Sequence, residues 1–203
     1  MKIICMARNY VAHAKELNNP LPEHPVFFMK HENSIVRNNK PFFYPDFSKE
    51  IHHELEIVVK FSKVGKSIER RYANTYFDEI GLGIDFTARD LQDAAKAKGH
   101  PWEVAKAFDN SAPISKFIPV SIFEDINNLS FRLDINGTTV QEASSSLMIF
   151  PIDRQISYIS RYITLKTGDL LFTGTPAGAG PVKIGDHLEA WLEDRKLLDF
   201  FIK

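Results

Sequence analysis

The sequence predicts a mainly β fold with a few helices, an α+β arrangement. Three observations predict it. Short apolar runs with a two-residue alternation recur along the chain, as in Ile51–Phe61. They come in neighbouring runs joined by turn residues such as Asn136-Gly137, without the strictly alternating strands and helices of a doubly wound sheet. Helical spacing of apolar residues is confined to a few segments. With 203 residues, 44% of them hydrophobic, the chain is expected to form one domain, 1–203, whose core needs no disulfide or structural metal.

From the N-terminus, the apolar run in MKIICMARNY is too short for the core of a secretory leader. NYVAHAKELNN predicts a short helix on which His13 and Glu16, three apart, share a face. Pro20, Pro22 and Pro25 make 18–25 a loop, and PVFFMK after it reads as a strand. Ile51–Phe61 is a strand with Glu54 and Glu56 on one face and Leu55, Ile57 and Val59 on the other. GLGIDF, 81–86, is a short glycine-rich strand. Thr87 and Asp90 have the capping-box spacing for a helix through LQDAAKAKG that stops near Gly99. FRLDING and TTVQEA form strands about the Asn136-Gly137 turn. Residues 146–165 begin apolar and then read as a helix, with Ile156, Ile159 and Ile163 at helical spacing. DLLFTGT is a strand that enters the loop TPAGAGPVKIGD, and HLEAWLEDRKLLDFFIK closes the chain as a hairpin.

Composition excludes several classes of partner. Twenty-five basic against 26 acidic residues leave a net charge of −1, so no basic field invites nucleic acid or an anionic membrane. No stretch approaches the roughly 18 apolar residues that span a bilayer. The single cysteine, Cys5, cannot form an internal disulfide and suits a reducing compartment. A soluble, cytoplasmic protein is expected.

The chemistry-bearing residues each have a plainer reading. Glu54 and Glu56 would ordinarily mark the wet face of a strand. Asp85, at the end of the glycine-flanked strand, would ordinarily cap a helix, but Thr87 and Asp90 are available for that. Three carboxylates without cysteine make a hard oxygen site, suited to Mg²⁺, Mn²⁺ or Ca²⁺ rather than zinc. His52 and His53 offer a rival zinc reading; His53 faces away from the glutamates, whereas His52 shares their face and is placed behind them, near the cation. Arg89 and Gln92 are either a solvated helix face or a grip for a substrate carboxylate. Lys106, in the apolar setting PWEVAKAFD, is either a snorkelling lysine or a buried one with a partner. His13 and Glu16 are either a surface pair or a base with its orienting carboxylate. GTPAGAGP lacks the Gly-Lys-Ser/Thr ending of a P-loop; it is a plain turn, or a close-approach loop whose Thr175 hydroxyl faces a ligand.

Taken together and in order, RNYVAHAKE, HHELEIVV, GIDFTARDLQ, KGHPWEVAKAFD, LMIFPIDRQISYIS and GDLLFTGTPAGAGPVKIGD resemble the fumarylacetoacetate hydrolase family, in particular its short single-domain acylpyruvases and oxaloacetate decarboxylases. The resemblance implies a rolled mixed β-sandwich, usually a homodimer, with a lid in the segment 1–25. It implies that Glu54, Glu56 and Asp85 bind one Mg²⁺ or Mn²⁺. His13 and Glu16 would activate water, and Arg89, Gln92, Lys106 and Thr175 would line the substrate site, where Lys106 is the candidate to stabilise an oxyanion. The chain departs from the family at Ala7, where glycine is usual, and at Leu147, where an acidic residue is frequent. The activity implied is metal-dependent C–C cleavage of acylpyruvate-type 2,4-dioxo acids with release of pyruvate, and with it decarboxylation of oxaloacetate. The alternatives are an isomerase or tautomerase of 2-oxo or 2-hydroxydienoic dicarboxylic acids and, from another class, a non-catalytic divalent-metal-binding β-domain.

Overall fold

A computed structural model describes residues 1–16 and 20–203. The end of the expected first helix, Leu17–Asn19, and with it the start of the expected loop, lies outside the described residues. In chain order the elements are β1 (Ile3–Ala7), α1 (Val11–Glu16), β2 (Val26–Lys30), β3 (Ile35–Val36), β4 (Ile51–His53), β5 (Leu55–Phe61), β6 (Phe77–Ile84), β7 (Thr87–Ala88), α2 (Arg89–Lys98), α3 (Glu103–Lys106), β8 (Ala112–Pro113), β9 (Ile118–Pro119), β10 (Ser130–Ile135), β11 (Thr138–Ser144), α4 (Ile152–Ser160), β12 (Leu170–Phe172), β13 (Gly180–Pro181), β14 (His187–Leu192) and β15 (Arg195–Phe201).

A six-stranded sheet runs β2-β1-β12-β5-β6-β9, and a four-stranded antiparallel sheet runs β11-β10-β14-β15. Only β1 and β12 pair in parallel within the larger sheet. Strands β10, β14 and β15 lie over β5 and β6. Ile57, Val59, Ile80 and Leu82 from one sheet pack there with Leu133, Leu188, Leu198 and Phe200 from the other. The reverse face of β5 is covered as well, by a smaller cluster in which Val58 meets Ile3, Cys5, Ile114 and Phe172. A strand covered on both faces reads as nearly continuous apolar sequence, and this is why Glu56, on β5, ends up sealed from water.

Several expectations are corrected. The strand expected over Ile51–Phe61 is broken at Glu54, which joins β4 to β5 and accepts the Asp85 N–H on its carbonyl at 2.8 Å. The strand expected at Gly81–Phe86 is the second half of the longer β6. Gly83 is needed there, because a Cβ would stand 2.5 Å from the Phe172 ring. The capping box does not form. Thr87 is drawn into β7 by pairing with His52, its hydroxyl donates to the Asp85 carbonyl, and the cap position falls on Ala88. The Arg89 N–H goes to the Glu50 carbonyl, 2.8 Å away. Asp90 instead accepts from the Ser48 hydroxyl, the Lys49 N–H and the Leu91 N–H, which ties α2 to the segment before β4. The helix expected within 146–165 is confined to α4, with Ile156 and Ile159 buried and Ile163 half-buried beyond its end. β1 went unread, since a short run buried on both faces shows no alternation. The two hairpins, about Asn136-Gly137 and about Glu193-Asp194, are present, and Asn136 and Gly137 both have positive φ, as such a turn requires.

Candidate active site

The end of β6 and the start of β5 lie side by side, with Glu56 opposite Gly83 and Leu55 opposite Ile84. That register brings Asp85, just past β6, next to Glu54 and Glu56. Phe86 fixes the turn from within the core: it stacks on Phe42 at 4.0 Å, and its N–H bonds to the Ser111 carbonyl. All three carboxylates are buried, Glu56 and Asp85 to 1% exposure, and one oxygen from each lies within 4.8 Å of the others.

Three buried cations surround this trio. Lys106, on α3, places Nζ 2.8 Å from Glu54 Oε2 and 2.8 Å from Asp85 Oδ2. Arg89 donates from Nη2 to Glu54 Oε1 at 2.6 Å and from Nη1 to Gln92 Oε1 at 2.5 Å, leaving its buried Nε–H without an acceptor. Lys30, which the sequence reading missed, reaches Asp85 Oδ1 at 2.8 Å from the end of β2. It also donates to the Phe86 and Ser111 carbonyls, the Ser111 hydroxyl and the Lys106 carbonyl. The only sequence sign of it was a lysine finishing the apolar run VFFM. Glu56 Oε2 accepts the Gly174 N–H at 2.6 Å.

Burial pushes the Glu54 carboxyl up, but the charges of Lys106 and Arg89 outweigh it and hold the group well below the usual carboxylate range. Burial and the neighbouring Asp85 and Glu54 charges push Glu56 well above that range. Burial pushes Lys106 down, and Asp85 and Glu54 more than offset it, so its ammonium is firmly charged. The donor set fits a hard divalent cation: three carboxylates, no sulfur, and an Asp85 Oδ1 that accepts no aligned hydrogen bond. Neither histidine of the rival zinc reading joins it. The expected placement of His52 is corrected: the strand break at Glu54 upsets the alternation, and His52 pairs with Glu50 at 2.9 Å near the surface. His53 is buried against Gln141 at 3.1 Å.

His13 Nδ1 lies 3.2 Å from Glu16 Oε2 on α1. His13 is buried and Glu16 is 39% exposed; Glu16 also accepts the Gly178 N–H at 3.2 and 3.3 Å. Gly178 has φ +92°, and a Cβ there would stand 2.2 Å from the Val140 carbonyl oxygen, so no other residue keeps this approach. The Thr175 hydroxyl accepts from Gln141 Nε2 at 2.9 Å, and Gln141 Oε1 in turn accepts the Leu55 N–H. Gln141 was missed, since nothing in TTVQEA marks it as buried. Every expected site residue except Glu16 and Asp85 lines one cleft, which Arg8, Phe28, Lys96 and Trp102 also line.

The chain belongs to the fumarylacetoacetate hydrolase family: residues 2–199 match the family described as fumarylacetoacetate (FAA) hydrolase C-terminal. It is an enzyme family, and the mixed α+β, sheet-rich fold matches its solved members. The chain is 39% identical over 201 residues, 99% of its length and 91% of the relative's, to the mitochondrial oxaloacetate tautomerase FAHD1 of Mus musculus. It is 42% identical over 189 residues to the mitochondrial oxaloacetate decarboxylase of Dictyostelium discoideum, covering 93% of this chain and 87% of that one. Its structure superposes with a TM-score of 0.95 on the fumarylpyruvate hydrolase from Pseudomonas aeruginosa in complex with Mn²⁺ and pyruvate, at 33% identity over all of this chain and 89% of that one. Among the described residues no helix is long and apolar enough to cross a membrane. Against the expected cytoplasmic location, both curated relatives carry a mitochondrial name.

Proposed function

We propose that the chain uses Mg²⁺ or Mn²⁺ to break or rearrange the bonds at C3 of small 2-oxo acids that carry a carbonyl or carboxylate at C4. Oxaloacetate decarboxylation and acylpyruvate hydrolysis, both yielding pyruvate, are its two cleavage reactions. The observation that supports it is a cleft lined by Glu54 and Glu56 of the buried carboxylate trio together with His13, which pairs with Glu16 behind it. Glu54, Glu56 and Asp85 would hold the cation, which supplies Lewis acidity toward the 2-oxo acid end of the substrate.

The chain's own residues then divide the reactions. In hydrolysis His13, oriented by Glu16, takes a proton from water as its oxygen attacks C4. The C3–C4 bond breaks with its electron pair moving to C3, the pyruvate enolate is protonated at C3, and the acyl group leaves as a carboxylic acid. Lys106 has one N–H beyond those given to Glu54 and Asp85, and this proton serves the oxyanion at C4. In decarboxylation the same bond breaks with loss of CO₂, and no water attacks. Thr175, Arg89 and Gln92 form the wall that orients the substrate. Helix α1, held by Glu16 to Gly178, is the lid, and a homodimer is part of the same reading.

Purified protein with Mn²⁺ is assayed on oxaloacetate and acetylpyruvate, with pyruvate, CO₂ and enol absorbance followed separately. His13→Ala is expected to cut hydrolysis by about 10²–10⁴-fold and decarboxylation far less. Equal loss of both, or full activity after chelation, refutes the scheme. A tautomerase reading is favoured by the Mus musculus relative's name and needs only a proton carrier such as His13. Loss of enol absorbance with no pyruvate released would establish it.

A further inference from the structure

The cations in the cleft fall into two sets. Lys30, Lys106 and Arg89 are taken up by ion pairs with Glu54 and Asp85. Arg8 and Lys96 line the same cleft outside that arrangement. Among the described residues no carboxylate comes within ion-pair distance of Arg8, and its side chain makes no hydrogen bond. It is half-buried and sits at φ 56°, in the left-handed region that a non-glycine residue adopts only when its surroundings impose it.

The surroundings impose it through Asn9. That side chain is fully buried; it donates to the Thr173 and Phe150 carbonyls at 2.8 and 3.1 Å and accepts the Phe150 N–H at 2.8 Å. The next residue, Tyr10, is bridged to Met148. Arg8 is thus fixed at the rim of the cleft by a neighbour that cannot shift. Lys96, in the last turn of α2, has among the described residues only the exposed Asp93 at 3.4 Å as a partner, and its Nζ lies 5.9 Å from the centre of the Trp102 ring. Burial and the Arg89 charge disfavour its ammonium, a cost that a bound anion would relieve.

We infer that Arg8, with Lys96 assisting, forms a subsite for the second carboxylate of a dicarboxylic 2-oxo acid, so that the cleft prefers substrates charged at both ends. This rests on the proposed 2-oxo acid chemistry and adds to it the residues that choose among such acids. A guanidinium facing a carboxylate makes charge-assisted, paired hydrogen bonds that an uncharged acetyl group cannot match.

Oxaloacetate and acetylpyruvate are a matched pair, since the second replaces a carboxylate oxygen with a methyl group. The test is the ratio of their kcat/KM values with Mn²⁺ in wild type, Arg8→Asn, Arg8→Lys and Lys96→Met. Asparagine tolerates positive φ, so Arg8→Asn removes the charge without contesting the backbone. Arg8→Asn is expected to lower the oxaloacetate-to-acetylpyruvate ratio about tenfold or more, Lys96→Met by less, and Arg8→Lys to restore much of it. An unchanged ratio, or equal loss on both substrates, overturns the assignment. If wild type turns over neither compound, the proposed function fails. The subsite is then judged by calorimetric dissociation constants for the same pair: a wild-type preference for oxaloacetate that Arg8→Asn abolishes supports it, and equal affinities overturn it.

Discussion

Lys30 is the residue whose removal would do most damage to the site without touching substrate. It is fully buried, and it faces Asp85 across 2.8 Å. Taking away one member of a buried ion pair leaves an uncompensated charge and costs about 3–5 kcal/mol. Lys30→Met is therefore expected to lower the melting temperature sharply. Mn²⁺, which brings positive charge to the same carboxylates, should recover more of it in the variant than it adds to wild type. Calorimetric melts with and without Mn²⁺ check this, and equal gains in the two proteins would contradict it. Glu54 and Glu56 were legible in the sequence as two carboxylates spaced by two in an apolar alternating run, although Glu54 itself falls in the break between β4 and β5. Lys30 was not: its partner is 55 positions away, and a single lysine closing an apolar strand looks the same whether it snorkels or is enclosed. Arg8 was hidden for a related reason, since its isolation from any carboxylate is a property of the folded surface.

Among the elements, α2 shows how a correct outline can conceal a wrong cause. The helix stops at Gly99 as its sequence indicates, yet its start is set by the pairing of β7 with β4 and by Asp90 reaching back to Ser48 and Lys49. Local spacing cannot report a contact with residues about forty positions earlier. Burial pushes the Asp90 carboxyl up, but the Lys49 N–H, the Ser48 hydroxyl and the Leu91 N–H outweigh it and hold the group below its ordinary 3.8. A depressed carboxyl stabilises the fold above its unfolded value and loses that contribution as pH falls through its folded value. The stability gap between wild type and Asp90→Asn is thus expected to be constant near neutrality and to narrow below about pH 4, as denaturant titrations at several pH values would record. In the loop after β12, Gly178→Ala would drive a Cβ into the Val140 carbonyl. The expected cost is about 2 kcal/mol or more, with hydrolysis lost beyond what the lower stability explains, because the Glu16 contact goes with it. A variant that melts normally and hydrolyses normally would remove Gly178 from this account.

For the molecule as a whole, the mainly β character was readable from alternation and turns, whereas the stacking of β10, β14 and β15 on β5 and β6 was implied only by the family resemblance. A cation shared by Glu54, Glu56 and Asp85 would tie the start of β5 to the end of β6 and should raise global stability by about 2.7 kcal/mol at a hundred times its dissociation constant. Glu56→Gln should abolish most of that gain in thermal melts, and a variant that keeps it would show that the ion is held elsewhere. β1 is flanked by β2 on one side and by β12, parallel to it and more than 160 positions later, on the other. On the ribosome the first strand therefore waits, with one edge bare and strongly apolar, until nearly the whole nascent chain has emerged. Long-range parallel pairing of this kind makes for slow folding, so the growing polypeptide has reason to meet a chaperone before it ever meets a substrate.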